Sequence, residues 1–205
     1  MITLYHFPLS QHSRRVVSLL EEAGIEYQAR LINMMEGEHM SADYMAINPN
    51  HQVPSLEDEE VCIYESNAIM RYLCDKFQLN NWYPNAITQR AQVDQWLDWG
   101  QCRLGPVVKD IVFNTVFAEK SGLQPDQSAI TKGQESLIEL ANILEKHLSK
   151  SQYLAANHAT IADLALAANM FHLGLAQQRP NSPAIQAWYD KIANLKGFQK
   201  SLPVF

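Results

Sequence analysis

Apolar and polar residues alternate in short segments along the first part of the chain, a pattern typical of β-strands. Ile2–Phe7 shows this alternation, and Tyr27–Ile32 reads as a second strand. Between them, apolar residues recur at helical spacing, with Ser13 able to cap the helix and Gly24 able to end it. The pattern predicts a β-α-β unit at the start of the chain.

Two further strands and a helix follow a turn-rich stretch. Residues 53–58 and 60–65 are predicted strands joined by a tight acidic turn, and Pro54 opens the first of them. Ser66 then begins a helix, whose apolar positions are Ile69, Met70, Tyr72, Leu73 and Phe77. The order β-α-β followed by β-β-α predicts a small α/β domain.

Helical spacing of apolar residues continues through the rest of the chain. Thr88–Phe117 is predicted to be one long helix bent at Gly105-Pro106, because proline lacks the N–H that a helix interior needs. Pro125 suits the first turn of a second helix that runs towards Lys150. This part of the chain is therefore predicted to be all-helical.

The most apolar helix follows Thr160 and Asp163, which have the spacing of a capping box with Asp in place of the commoner Glu or Gln. A helix that is apolar all round belongs in the centre of a helical domain. Ser182–Ala193 is the last clear helix. We therefore expect an α/β domain over residues 1–78, a linker over 79–87 and an all-α domain over 88–205.

Charge is distributed unevenly between the two predicted halves. The 205 residues carry a net charge of −6, yet residues 1–78 hold five Lys/Arg against twelve Asp/Glu, whereas the remainder holds eleven against ten. An acidic chain with no Lys/Arg run argues against nucleic acid or an anionic membrane surface as the main partner.

Cysteine usage and hydropathy favour a soluble cytoplasmic protein. Cys62, Cys74 and Cys102 form neither a disulfide framework nor a CxxC pair. The polar, proline-broken start of the chain is not a signal peptide, and no apolar run approaches the roughly 20 residues that span a bilayer. His6 and His12 lack metal-ligand spacing with cysteines or acids, so no metal is expected.

Three segments carry a resemblance to a known family. LYHFPLSQHSRRV (4–16), NPNHQVPSLEDEEVCIYESNAIMRYL (48–73) and ATIADLAL (159–166) resemble the corresponding motifs of cytosolic glutathione transferases of the serine type, which are theta, delta or phi-like. The resemblance covers the whole chain. It implies a thioredoxin-like N-terminal domain that binds glutathione as co-substrate, an all-helical C-terminal domain and a homodimer.

Ser10 is the catalytic residue that the resemblance implies. The glutathione thiol must ionise, and a hydroxyl just before a helix can donate a hydrogen bond to the thiolate while the helix amides favour its charge. Without the resemblance, Ser10 or Ser13 is more simply a helix cap, and with it Ser13 becomes the cap. Tyr5 is a weaker alternative donor, and the absence of cysteine here disfavours the classes that form mixed disulfides.

Residues before the third strand are expected to bind the middle of glutathione. In thioredoxin-like folds the proline matching Pro54 is cis, which lets the backbone of Val53 pair with the cysteinyl part of the ligand like an added strand. Gln52 can add an amide contact. From the residues alone, an ordinary trans proline at a strand start is the simpler interpretation.

Glu65 and Ser66 stand where a helix begins, a suitable receptor for a zwitterion. The hydroxyl and N–H of Ser66 can bind the γ-glutamyl carboxylate, and Glu65 can bind the ammonium. A plain N-terminal cap is the alternative. Many relatives carry arginine after this serine, whereas this chain has Asn67.

His39 and His51 are candidates for the glycyl carboxylate, in phi-like and delta-like positions respectively, although a loop histidine is usually a solvated surface residue. The choice between them stays open. For the electrophile pocket, the resemblance points to apolar side chains near the end of the first strand and to the long helix; the candidates are Phe7, Pro8, Leu9, Trp99, Arg103 and Val107.

The expected function is conjugation of the glutathione thiolate to small hydrophobic electrophiles. Glutathione-dependent isomerisation, dehalogenation or peroxide reduction on the same fold are alternatives, as is a non-catalytic ligand-binding or regulatory relative. The electrophile and the class within the serine type are not readable from the residues.

Overall fold

One mixed sheet organises the α/β part of the computed structural model, which describes residues 1–59 and 61–203. Its strands are β1 (Thr3–His6), β2 (Gln28–Leu31), β3 (Ser55–Asp58) and β4 (Val61–Tyr64). The spatial order is β2-β1-β3-β4, with β1 parallel to β2 and antiparallel to β3, and with β3 antiparallel to β4. Leu4 of β1 pairs with Leu56 of β3, and both are fully buried in the core. The predicted thioredoxin-like sheet is confirmed.

Helices occupy most of the remaining described residues. In chain order they are α1 (Gln11–Ala23), α2 (Ala42–Ile47), α3 (Ser66–Lys76), α4 (Ile87–Trp99), α5 (Gly105–Val112), α6 (Gln127–Leu148), α7 (Ile161–Leu175), α8 (Pro183–Ala193) and α9 (Lys196–Lys200). Short 3₁₀ turns at Met34–Glu36 and Glu38–Met40 follow β2. No helix among the described residues is long and apolar enough to cross a membrane.

The chain divides into two units, one of them discontinuous in sequence. Residues 1–83 and 194–203 form the α/β unit, and Pro84–Ala193 forms the helical unit. Whereas the sequence pattern assigns all of 88–205 to the helical domain, α9 packs against α1 and thereby joins the first unit. The pattern misses this because a five-residue helix has too few turns to show an amphipathic period.

Helix α1 is capped by Ser10 rather than by Ser13. Ser10 has extended backbone angles (φ −85°, ψ 122°), and its Oγ accepts a hydrogen bond from the N–H of Ser13 at 3.2 Å. Ser13 lies buried in the first turn, where its Oγ accepts from the N–H of Phe7 at 3.2 Å. The prediction that Ser13 caps this helix is therefore wrong. Gly24 ends the helix with a φ of 65°, as predicted.

The predicted long helix of the second unit runs from Ile87 to Phe117 with two widened π-helical turns. The first, Gly100–Leu104, comes directly before Pro106, and the N–H of Gly105 donates to the carbonyl of Gly100. A widened turn accommodates a proline that can neither donate nor fit beside the preceding turn. Gly100 also allows close packing, since a Cβ there would lie 2.6 Å from Cδ1 of Leu166 in α7.

Polar caps define the remaining long helices. Asp126 caps α6 through the N–H groups of Ser128 and Ala129, so Pro125 lies before the cap and not in the first turn as predicted. At α7 the predicted capping box is present, with Oδ2 of Asp163 accepting from both N and Oγ1 of Thr160.

Asp163 does more than cap α7. Its Oδ1 accepts from the N–H of Leu154 at 3.0 Å and from Nε1 of Trp188 in α8 at 2.9 Å. Asp163 is completely buried. Through these hydrogen bonds one carboxylate links three segments of the helical unit.

Candidate functional site

The sheet register gathers three predicted site segments at one end of the α/β unit. Ser55 at the start of β3 pairs with Tyr5 near the end of β1 and with Tyr64 at the end of β4. The segment entering β3 and the segments leaving β1 and β4 therefore emerge at the same end of the sheet. These segments hold Ser10, the Gln52–Pro54 stretch and Glu65–Ser66.

The hydroxyl of Ser10 is arranged both to cap a helix and to donate. Its oxygen accepts from the N–H of Ser13, while its own N–H donates to the carbonyl of Phe7 at 2.9 Å. A serine hydroxyl has one proton in addition to its acceptor lone pairs, so capping leaves that proton for a further acceptor. Ser10 is half-buried, and the positive end of the α1 dipole favours an anion beside it.

The loop that enters β3 is held by two buried side chains. Tyr44 Oη donates to the carbonyl of Gln52 at 2.6 Å, and Nδ2 of Asn48 donates to the same oxygen at 2.8 Å. Burial raises the pKa of Tyr44, so its phenol stays protonated and able to donate. The Val53–Pro54 peptide bond is cis, as the resemblance implied, and Val53 is buried directly before β3.

Glu65 adopts a backbone conformation that is unusual for a residue with a side chain. Its φ of 71° and ψ of 107° lie at the junction of β4 and α3, and its carbonyl accepts from the N–H of Ile69 to begin the helix. Such conformations persist where the surrounding structure holds them, often at ligand sites. The side chain of Glu65 is exposed, whereas Ser66, the first residue of α3, is buried.

A buried arginine lies between α1 and the start of α3. Nη1 of Arg15 donates to Oδ1 of Asn67 at 3.0 Å, and both side chains are shielded from solvent. Burial lowers the pKa of Arg15 to about 10, while the negative charge of Glu65 acts in the opposite direction. At that pKa the guanidinium remains charged at neutral pH.

The two histidine candidates occupy different loops. His51 directly precedes Gln52 and has a φ of 56°. Its N–H donates to the carbonyl of Asn48 at 3.1 Å. His39 lies in the 3₁₀ turn after β2, outside the segments that the sheet register brings together. In both rings Nδ1 is buried without a hydrogen-bond partner among the described residues. The choice between them stays open.

The residues predicted to line the electrophile pocket fall in different units. Phe7 and Leu9 are half-buried between β1 and α1. Trp99 ends α4 and packs edge-on against Trp96 with ring centroids 5.3 Å apart. Arg103 is exposed on the widened turn, and Val107 is half-buried in α5. Their assignment to one pocket stays a prediction.

Family models match most of the chain. Residues 1–75 match "Glutathione S-transferase, N-terminal domain", and residues 104–196 match "Glutathione S-transferase, C-terminal domain". Glutathione S-transferase F10 of Arabidopsis thaliana is 33% identical over all of both chains. The chain belongs to the glutathione S-transferase family.

Solved structures of other family members share this fold. Glutathione transferase F7 from Populus trichocarpa superposes with a TM-score of 0.89 at 28% identity, covering 98% of this chain and 97% of its own. Glutathione S-transferase-I bound with lactoylglutathione gives a TM-score of 0.86 at 27% identity, with the same coverage of both chains. These matches confirm the predicted fold class and family.

Three contributors to this transferase's candidate site escaped the sequence pattern. Tyr44 and Asn48 look like ordinary residues of a turn-rich stretch, and Arg15 resembles any arginine on an amphipathic helix. Only the folded structure shows that all three are buried. Tyr44 and Asn48 donate to the carbonyl of Gln52, and Arg15 donates to Asn67 beside Ser66. No group of three or more His, Cys, Asp or Glu side chains in the described part of the chain is arranged to hold a metal.

Proposed function

We propose that this glutathione S-transferase activates the glutathione thiol with Ser10 and transfers it to small hydrophobic electrophiles. The hydroxyl donates a hydrogen bond to the thiolate, and the N-terminus of α1 adds favourable potential. Both effects lower the thiol pKa from its free value of roughly 8.5, so that more thiolate forms at neutral pH. The observation that carries the proposal is the position of Ser10 as the cap of α1 with its proton left to donate.

The reaction follows from that activation. The thiol proton leaves to solvent, and the sulfur lone pair forms a C–S bond with an electrophilic carbon. In a substitution the leaving group departs with the electron pair of its bond, whereas in an addition a proton from water completes the adjacent carbon. Isomerisation, dehalogenation and peroxide reduction would begin from the same thiolate.

The tripeptide is proposed to lie along the end of the sheet defined above. Ser66 binds the γ-glutamyl carboxylate at the N-terminus of α3, and Glu65 binds the ammonium. The backbone of Val53, before cis Pro54, pairs with the cysteinyl unit, because an extended backbone beside a strand start can accept another strand. One of His39 and His51 binds the glycyl carboxylate, and Gln52 adds an amide contact.

Assembly and location are part of the proposal. We propose a homodimer, supported by the family membership, and a cytoplasmic location, supported by three cysteines that form no disulfide with one another. The electrophile site is proposed to include Phe7, Leu9, Trp99, Arg103 and Val107. Sedimentation velocity that shows a stable monomer at micromolar concentration would contradict the dimer.

Replacement of Ser10 tests the mechanism. Ser10→Ala is expected to lower kcat for a chloroaromatic substrate at saturating glutathione by about a hundredfold, in the range found when one oxyanion donor is removed. It also removes the α1 cap, at about 1 kcal/mol of folding free energy. Ser10→Gly separates the two effects, since glycine costs only about a few tenths of a kcal/mol as a cap.

Ser13→Ala is the matched control, because it removes a hydroxyl from the same turn that points to the N–H of Phe7. It is expected to lower thermal stability while the ultraviolet absorbance of bound thiolate titrates as in the wild type. If Ser10→Gly and wild type conjugate equally fast, Ser10 is not the thiolate donor.

A further inference from the structure

Two neighbouring arginines on α1 are almost completely buried, each with a relative exposure of 1%. Ionised side chains are rarely buried to this extent unless they serve a specific contact. The guanidinium of Arg14 lies 5.9 Å from the ring centroid of Phe198 in α9. Arg15 instead donates to Asn67 in α3 at 3.0 Å. The two side chains therefore contact different neighbouring helices.

Arg15 contacts α3 where its first turn begins. Asn67 is the second residue of α3, Ser66 is the first, and Glu65 precedes the helix with its positive φ. A hydrogen bond to Asn67 therefore restrains the turn that presents the N–H and hydroxyl of Ser66. The negative charge of Glu65 also favours the charged form of Arg15, which raises its pKa against the effect of burial.

The direction of helical side chains makes this contact relevant to both ends of the candidate site. Side chains on a helix lean towards its N-terminus, so Arg15 projects towards the end of α1 that Ser10 caps. Its contact with Asn67 thus joins the starts of α1 and α3. The residue that follows Ser66 is therefore an uncharged amide that accepts a hydrogen bond from another helix.

We infer that Arg15 is a positioning residue for the γ-glutamyl end of glutathione, acting through Asn67 without touching the ligand. The inference rests on the proposed function and names a residue that supports the same site. Arg15 keeps Ser66 oriented for the γ-glutamyl carboxylate. Arg14, equally buried, faces the ring of Phe198 in α9.

The test compares glutathione binding in variants of the full chain by titration calorimetry, at a temperature where each is folded by circular dichroism. Arg15→Met and Asn67→Ala are each expected to raise the Kd about tenfold, the scale of a hydrogen bond to a charged group. In turnover, KM for glutathione rises while kcat at saturation changes little. Arg15→Lys, which keeps the charge, recovers part of the affinity.

The double variant Arg15→Met/Asn67→Ala tests whether Arg15 affects glutathione binding through its contact with Asn67. If Arg15 acts through Asn67, the double variant binds glutathione no more weakly than the weaker single variant, because both lose the same contact. Arg14→Met is the matched control, and it is expected to reduce thermal stability without changing the Kd.

Three results would overturn the inference: a Kd for Arg15→Met within about twofold of the wild type, an equal loss of affinity in Arg14→Met, or additive losses in the double variant. If Arg15→Met does not fold, Asn67→Ala alone decides, since it keeps both arginines. A wild-type chain that does not bind glutathione would overturn the proposed function instead, so the two failures are distinguishable.

Discussion

The hydroxyl of Ser10 shows how much of one residue's role can be predicted from the sequence. The pattern places two serines near the start of α1, and both are suitable caps. Which one caps depends on where the chain turns after β1, and the turn from Phe7 to Ser10 is a tertiary outcome. The family resemblance selects Ser10 for catalysis, but only the structure shows that its oxygen caps α1, a contact that does not use the hydroxyl proton.

The pH dependence of stability tests a hydrogen-bonded contact between Asp58 in β3 and two side chains in α3. Asp58 accepts hydrogen bonds from Lys76 and from Oη of Tyr72, and the bond from Lys76 contributes most to lowering the pKa of this carboxyl to about 2. A folded pKa below the unfolded value of 3.8 stabilises the fold fully above that value and loses the benefit as pH falls towards 2.

Asp58→Asn is therefore expected to reduce the free energy of unfolding at pH 7 by about 0.5–1 kcal/mol, a small amount because water screens the part-exposed Lys76. Denaturant unfolding from pH 7 to pH 2 measures it. The difference between wild type and variant should shrink as the pH falls through 4 to 2. A difference that stays constant over this range would show that the ion pair is not its source.

At the scale of elements, the sequence predicts strands and long helices well because their periodicities extend over several residues. All four strands and the helices from α6 to α8 lie close to their predicted positions. What escapes prediction depends on close contact between elements, such as the widened turn at Gly100–Leu104. The short helix α9 escapes because five residues are too few to show an amphipathic period, and its position is set by α1.

Replacing Gly197 tests the contact between α9 and α1. A Cβ on Gly197 would lie 2.4 Å from both the backbone N of Glu22 and the carbonyl oxygen of Ser18, so α9 would have to move away from α1. Gly197→Ala is expected to destabilise the protein by about 1–3 kcal/mol, as overpacking does in other cores.

Thermal unfolding measures this effect, with the exposed neighbour Lys196→Ala as control. In a helix interior, alanine for glycine would otherwise stabilise by up to about 1 kcal/mol. A melting temperature for Gly197→Ala at or above that of Lys196→Ala would show that α9 does not need its close approach to α1.

At the scale of the whole molecule, charge opposes the proposed ligand. The chain has a net charge of −6, and all of its acidic excess lies in residues 1–78, which carry −7 and hold the proposed glutathione site. Glutathione carries two carboxylates and one ammonium. Recognition must therefore depend on nearby donors such as helix N-termini and hydroxyls, which a count of charges along the sequence cannot reveal.

Varying the ionic strength tests whether long-range repulsion by the acidic residues slows the binding of glutathione. Salt screens the long-range repulsion, and the Debye length falls from about 30 Å at 0.01 M to about 8 Å at 0.15 M. The association rate of glutathione, followed by tryptophan fluorescence in stopped flow, is expected to rise over this range. A neutral sugar at matched osmolality should not reproduce the rise. A rate that falls with salt would mean that the local positive potential extends well beyond the site.

The return of α9 to α1 has a consequence for how the protein is made. A ribosome must translate the whole helical unit before Lys196–Lys200 leave the exit tunnel, whereas Pro84–Ala193 form one continuous stretch of sequence. The side of α1 that packs against α9, including Arg14, stays uncovered through most of synthesis. The part of the chain made first is thus the last to mature, and a nascent chain stopped near residue 193 would present that surface to chaperones and proteases.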